Sequence, residues 1–95
     1  MESRPALPSS LPGGDLIAEG LSDLSQRRET AAAFLVSIGA PRLSQGGLHV
    51  EAPWDDPEHR LYALLSRESP DAAHSRYNAL IRLLVSFERS LDILR

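Results

Sequence analysis

The sequence contains no cysteine and no lysine. The absence of cysteine excludes disulfides and thiolate metal sites, so a chain of 95 residues depends on its apolar core, a non-thiolate metal or self-association for stability. All ten basic residues are arginine. Two explanations stay open: planar, bidentate contacts with phosphate or carboxylate, or a genome whose base composition favours arginine codons.

Long apolar runs are also absent, and aromatic residues make up only 5% of the chain. We therefore expect no membrane-spanning helix. The first residues lack a charged segment followed by an apolar one, so we expect no signal peptide and a cytoplasmic protein that does not bind membranes. The net charge of −3 argues against a dedicated nucleic-acid binder, because such domains usually carry a basic face.

Residues 1–14 are rich in proline, serine and glycine and show no hydrophobic periodicity. They predict a flexible tail, followed by a single helical domain over residues 15–95. In that domain, apolar residues first recur at helical spacing over residues 17–38. Asp15 is a suitable cap, and Gly39 followed by Pro41 predicts the end of this helix. Because no Gly, Pro or Asn lies between Ser25 and Thr30, one helix is favoured over two.

Residues 40–56 form a long connection, in which Pro41 to Gln45 are compatible with one helical turn ended by Gly46. Its apolar residues, Leu48, Val50 and Trp54, are expected to pin it to the helices. Asp56 followed by Pro57 predicts the start of a shorter helix. Ser69, which precedes a proline, predicts the corner before the last helix.

The last helix carries a heptad stripe, broadened by further apolar side chains. The stripe residues are Ala73, Tyr77, Leu80, Leu84, Phe87, Leu91 and Leu94. A helix that is apolar on nearly all sides should be buried on nearly all sides. We therefore predict an all-α bundle of two long helices and one shorter helix, with the last helix at its centre and a homodimer completing it.

The predicted dimer interface lies on this last helix and consists of Leu80, Ile81, Leu83, Leu84, Phe87, Leu91 and Leu94. The alternative is a monomer in which the helix between Pro57 and Glu68 covers the second apolar face. A polar line that includes Arg82 is either a solvated edge or part of an ion pair that fixes the register of a dimer.

One group of polar side chains suggests a ligand site at the starts of the last two helices. It comprises His59, Tyr62, His74, Arg76, Tyr77 and Asn78. Histidine titrates near neutral pH, arginine binds anions, and tyrosine and asparagine orient a bound group. Surface or core positions explain the same residues without a ligand. At Arg67 and His74 alone, the chain resembles the Arg-x6-His motif of HEPN ribonucleases, which implies a catalytic pair in a dimer groove.

A second cluster combines histidine and carboxylate side chains over residues 49–59. Its spacing matches no recurring metal-ligand pattern, and helix capping explains two of its members, so we expect neither a metal nor a cofactor. No catalytic motif is present. The sequence favours a non-enzymatic assembly module that binds itself or another protein, over a small ligand-binding or catalytic protein. A nucleic-acid regulator using Arg27, Arg28, Arg76 and Arg89 is the third possibility.

Overall fold

A computed structural model describes residues 11–94, which form five α-helices and no strand. The helices are α1 (Gly14–Ser25), α2 (Ala31–Ile38), α3 (Ala40–Gln45), α4 (Pro57–Glu68) and α5 (Ala73–Leu94). The all-α class is confirmed. Most of the predicted flexible tail, residues 1–10, lies outside the described residues. The remainder of that segment is folded, because Leu11 packs against the core and α1 begins at Gly14.

The expected single helix over residues 15–38 is two helices, which corrects the count of two long helices and one short one. Thr30 caps α2: its Oγ1 accepts the Ala33 N–H at 3.1 Å and donates to Asp23 Oδ2 at 2.8 Å. Arg27 takes a left-handed backbone conformation, with φ of 55°. The left-handed Arg27 after α1 and the side-chain cap at the start of α2 thus separate the two helices without glycine or proline.

The end of α2 at Ile38 and the short α3 agree with the sequence prediction, and α3 stops at Gly46. Gly39 is not left-handed, however, because its φ is −84°. Its missing side chain serves packing instead. A Cβ at Gly39 would lie 2.8 Å from Leu84 Cδ1 and 3.0 Å from Glu88 Oε2, so glycine lets α5 approach the α2–α3 junction.

The central helix is α2, and this corrects the expectation that α5 is central. Every residue from Ala32 to Ser37 is buried, and α2 packs against α1, α4, α3 and α5. The helix α5 packs against α4, α2 and α3 and buries only one of its faces. The helix α4 covers part of α5, as in the monomeric alternative, and contributes the fully buried Leu61 and Leu65.

The two predicted corners before α4 and α5 lie where the sequence placed them. Asp56 precedes α4 and Pro57 takes the first helical position, although the Asp56 side chain makes no capping hydrogen bond. Ser69 is extended, with φ of −156° and ψ of 82°, as expected for a residue before proline.

Candidate functional site

Large apolar side chains remain exposed on α5 in the folded chain. Ile93 and Leu94 are 82% and 63% exposed, and Leu83 is 40% exposed. Leu83 and Ile93 belong to a stripe at spacings of four and three that faces away from the buried Glu88, and we call this stripe the outer face of α5. Its residues are Ala79, Leu83, Ser86, Ser90 and Ile93. Exposed apolar groups clustered on one face are typical of interaction surfaces.

The seven residues predicted for an interface fall into three groups. Leu84, Phe87 and Leu91 are buried in the core of the single chain, where they pack with residues of the other helices. Leu80 and Ile81 are half-buried against the same core. Leu83 and Leu94 are exposed and therefore available to a partner.

The predicted interface omitted two exposed apolar residues of α5, Val85 and Ile93. Ile93 continues a second heptad series from Leu83 through Ser86 and Ser90. A search that admits small polar residues would have detected this series, because serine is tolerated where two helices approach closely. Val85 lies on the same helix but outside the stripe.

The predicted polar site contains two side-chain pairs and one ion pair. The Tyr62 and Tyr77 rings lie 5.6 Å apart at an interplanar angle of 56°. Asn78 Nδ2 and His74 Nε2 are 3.2 Å apart on the first turns of α5. Burial, and then the nearby Glu58 carboxylate, raise the pKa of Tyr77 above its usual value.

The other members of this polar site and the Arg67–His74 pair are exposed side chains. Arg76 Nη1 lies 3.4 Å from Glu68 Oε1. His59 is exposed on α4. The Arg67 and His74 side chains, both exposed, share no hydrogen bond within residues 11–94. The ligand site at the starts of α4 and α5 therefore stays a prediction.

The histidine–carboxylate cluster is dispersed along the connection. Asp55 binds Arg60, with Arg60 Nη2 3.1 Å from Asp55 Oδ1. Glu51 and His49 line a cavity described below. Within residues 11–94, no three histidine or acidic residues lie close enough together to hold a metal ion.

An open cavity of about 350 Å³ lies between α1 and the part of the connection that follows α3, residues 46–56. Its lining residues are Leu21, Leu24, Ser25, Arg27, His49, Glu51 and Ala52. The two leucines make one wall apolar, and the connection supplies the polar side. The sequence-based candidate sites did not include this cavity, because its walls come from segments that are distant along the chain.

The indole of Trp54 anchors the connection beside this cavity. The backbone N–H of Trp54 donates to Ser37 Oγ at 3.0 Å, and the indole Nε1–H donates to the Arg28 carbonyl at 3.3 Å. The Arg27 guanidinium lies 4.0 Å from the ring centroid, and Phe34 contacts the ring edge to face at 6.3 Å. These contacts confirm that Trp54 pins the loop to the helices.

Comparison with protein families, with curated proteins and with solved structures finds no match to this chain. In the part of the chain that the structure describes, no helix combines the length and apolarity needed to cross a membrane. Function is therefore inferred from the geometry of the chain itself.

Proposed function

We propose that the protein is a non-enzymatic helical assembly module of the cytoplasm that forms a homodimer through the outer face of α5. The observation that carries this proposal is the exposure of Leu83, Ile93 and Leu94 on a helix whose Leu84, Phe87 and Leu91 are buried in the core of the single chain. Covering these groups with a second copy removes apolar surface from water, which favours association.

The residue pattern of the outer face suits an antiparallel second helix. In a heptad pairing centred on residue 88, Leu83 of one copy opposes Ile93 of the other, in two symmetric layers. Ser86 and Ser90 lie between these layers, and their small side chains let the helices approach closely. On one flank, the exposed Leu94 opposes the half-buried Leu80 of the second copy.

The apolar surface suffices for a reversible dimer rather than an obligate one. Leu83, Ile93 and Leu94 from both copies contribute roughly 1–2 kcal/mol each, since each is already partly buried or remains at the rim. Association costs roughly 4–15 kcal/mol in lost translational and rotational freedom. The gain exceeds this cost only towards the low end of the range, so we expect a weak dimer with a dissociation constant on the order of millimolar.

The test is the absolute mass in solution, measured by size-exclusion chromatography with light scattering over a range of protein concentrations. We expect the mass to rise towards that of a dimer. The double variant Leu83→Glu/Ile93→Glu should remain a monomer, because it places like charges in both apolar layers. Circular dichroism checks that the variant keeps its helices.

Val85→Glu is the matched control, because Val85 is a similarly exposed apolar residue of α5 outside the stripe. It should dimerise like the wild-type chain. A wild-type mass that stays monomeric at the highest concentration contradicts the proposal. An equal loss of dimer in Val85→Glu contradicts the assignment of the interface to the outer face.

A further inference from the structure

We propose that the cavity between α1 and the connection is a binding site for a small monocarboxylate with an apolar body. This site is independent of dimerisation, since none of its lining residues lies on α5. Its volume, about 350 Å³, falls in the range of small-molecule sites, roughly 300–1,000 Å³. Such sites pair an apolar wall with a few converging polar groups, as this cavity does.

The apolar wall supplies the contact surface for the body of the ligand. Leu24 is buried and Leu21 is half-buried on the cavity side of α1. A hydrocarbon group placed against these side chains would leave water, which makes the contact favourable without fixing its orientation. The polar wall must then orient the ligand.

Arg27 is the residue that we assign to the carboxylate. Its guanidinium stacks 4.0 Å from the centre of the Trp54 ring, and Nη1 donates to the Ala52 carbonyl at 2.7 Å. These two contacts hold the planar group in place before any ligand arrives. A guanidinium has five N–H donors, so donors remain for a bidentate contact with a carboxylate.

The charge of Arg27 is also uncompensated by an ion pair within residues 11–94. Its neighbours differ in this respect, because Arg28 pairs with Asp23 at 3.6 Å and Arg60 with Asp55 at 3.1 Å. Glu51 lines the same cavity but lies beyond ion-pair distance from Arg27. A ligand carboxylate would therefore supply the partner that the folded chain does not.

Two of the three non-glycine residues with positive φ within residues 11–94 lie on the polar wall, and the third, Asp56, lies outside the cavity. Arg27 and Ala52 have φ of 55° and 52°, in the left-handed region that side chains disfavour. Both residues line the cavity, and the Arg27–Ala52 hydrogen bond joins them. Strained residues persist where the surrounding structure holds them, and such positions cluster at ligand clamps.

Glu51 and His49 set the charge that the cavity accepts. The imidazole of His49 adds an N–H donor to the lining of the cavity. The Glu51 carboxylate repels a second negative charge in the same volume. The cavity should consequently prefer a monocarboxylate to a dicarboxylate with the same apolar body.

The probe that we would use is 3-phenylpropionate, followed by fluorescence of Trp54, the only tryptophan of the chain. We expect a saturable change with a dissociation constant on the order of millimolar, as suits a ligand of this size. The neutral 3-phenylpropan-1-ol should bind about tenfold more weakly, because it lacks the charged hydrogen bonds. The dianion 2-phenylsuccinate should also bind more weakly.

Variants separate the assigned residue from general charge effects. Arg27→Gln should weaken 3-phenylpropionate binding about tenfold or more. Arg67→Gln, which removes an exposed arginine of α4 remote from the cavity lining, should bind like the wild-type chain. Because Arg27→Gln alters the surroundings of Trp54, amide chemical shifts of Leu21, Leu24 and Glu51 should report binding independently.

Glu51→Gln provides a second test that leaves the Arg27 stack intact. It should reduce the preference for 3-phenylpropionate over 2-phenylsuccinate. The proposal is overturned if the wild-type chain shows no saturable response, or if Arg27→Gln and Arg67→Gln bind equally. Either result leaves the proposal of dimerisation through α5 unaffected, because the dimer is tested by the absolute mass in solution alone.

Discussion

Glu88 is one of three buried polar or charged residues within residues 11–94, and it lies on the inner side of α5. It faces the α2–α3 junction, where a Cβ at position 39 would lie 3.0 Å from its Oε2. Burial is the largest cause of its raised pKa. The Arg42 guanidinium opposes this shift and the Asp92 carboxylate adds to it.

We predict that Glu88→Gln removes a pH dependence from folding stability. A raised pKa means that the folded chain binds a proton more strongly than the unfolded chain, whose glutamate has the usual pKa near 4.5. The contribution of Glu88 is therefore most favourable at low pH, and it declines as pH rises above 4.5 through the folded pKa. Glutamine stays neutral, so the variant should be more stable than the wild-type chain near pH 7.

Urea unfolding at a series of pH values from 4 to about 8 measures this difference. Glu19→Gln is the control, because Glu19 is exposed on α1 and should leave the wild-type pH profile unchanged. A Glu88→Gln variant that is less stable at neutral pH, with the wild-type profile retained, would show that ionised Glu88 is favourable in the fold.

At the scale of helices, the contact between α1 and α2 depends on Gly20. A Cβ at this position would lie 2.3 Å from the Ala32 carbonyl oxygen and 2.7 Å from Val36 Cγ1. The first neighbour is backbone and has little freedom to move. Glycine inside α1 is unfavourable for helix formation by roughly 1 kcal/mol, and close packing of the two helices offsets that cost.

We predict that Gly20→Ala destabilises the protein by about 1–3 kcal/mol, although alanine is the better helix former. The clash forces α1 away from α2, and urea unfolding measures the loss. Ala18→Gly on the same helix is the comparison: it should cost only about 0.5–1 kcal/mol through helix propensity. A Gly20→Ala variant more stable than the wild-type chain would contradict the close approach of α1 to α2.

The helices that could be predicted from sequence are those with local start and stop signals. Pro57 begins α4, and Gly47, with φ of 100°, takes the left-handed conformation just after α3. The conformational preferences of these two residues act without distant contacts. The break between α1 and α2 was missed, since it depends on the Thr30–Asp23 hydrogen bond and the left-handed Arg27. These features become visible only when the chain turns back on itself.

The same limit applies to the candidate sites. The heptad stripe of α5 identifies an apolar face but does not say whether the covering helix belongs to the same chain. Other helices of the same chain cover Leu84, Phe87 and Leu91. The exposure of Ile93 becomes apparent only once the fold is known. The cavity at Arg27 needed the connection to fold back on α1, which no local pattern predicts.

At the scale of the whole molecule, the two proposed surfaces differ in chemistry and position. The outer face of α5 combines apolar residues with serines, and Arg82 and Arg89 lie along one flank of it. The chain as a whole carries a net charge of −3. The flank thus has the opposite sign to the molecule, so the response of association to salt distinguishes the symmetric antiparallel dimer from a contact between unlike faces.

We predict that moderate salt strengthens the dimer. In the antiparallel pairing, equivalent flanks face each other, which brings Arg89 of one copy towards Arg89 of the other. This like-charge repulsion costs a few tenths of a kcal/mol and is screened as the Debye length falls from about 30 Å at 0.01 M to about 10 Å at 0.1 M salt. Sedimentation equilibrium at these two salt concentrations should show about a twofold decrease in the dissociation constant.

Arg89→Gln should dimerise more tightly at low salt and lose most of the salt response, which separates charge screening from a general salt effect on apolar surfaces. A dimer that weakens with salt would instead indicate that α5 contacts an acidic face of the second copy, and it would exclude the symmetric pairing.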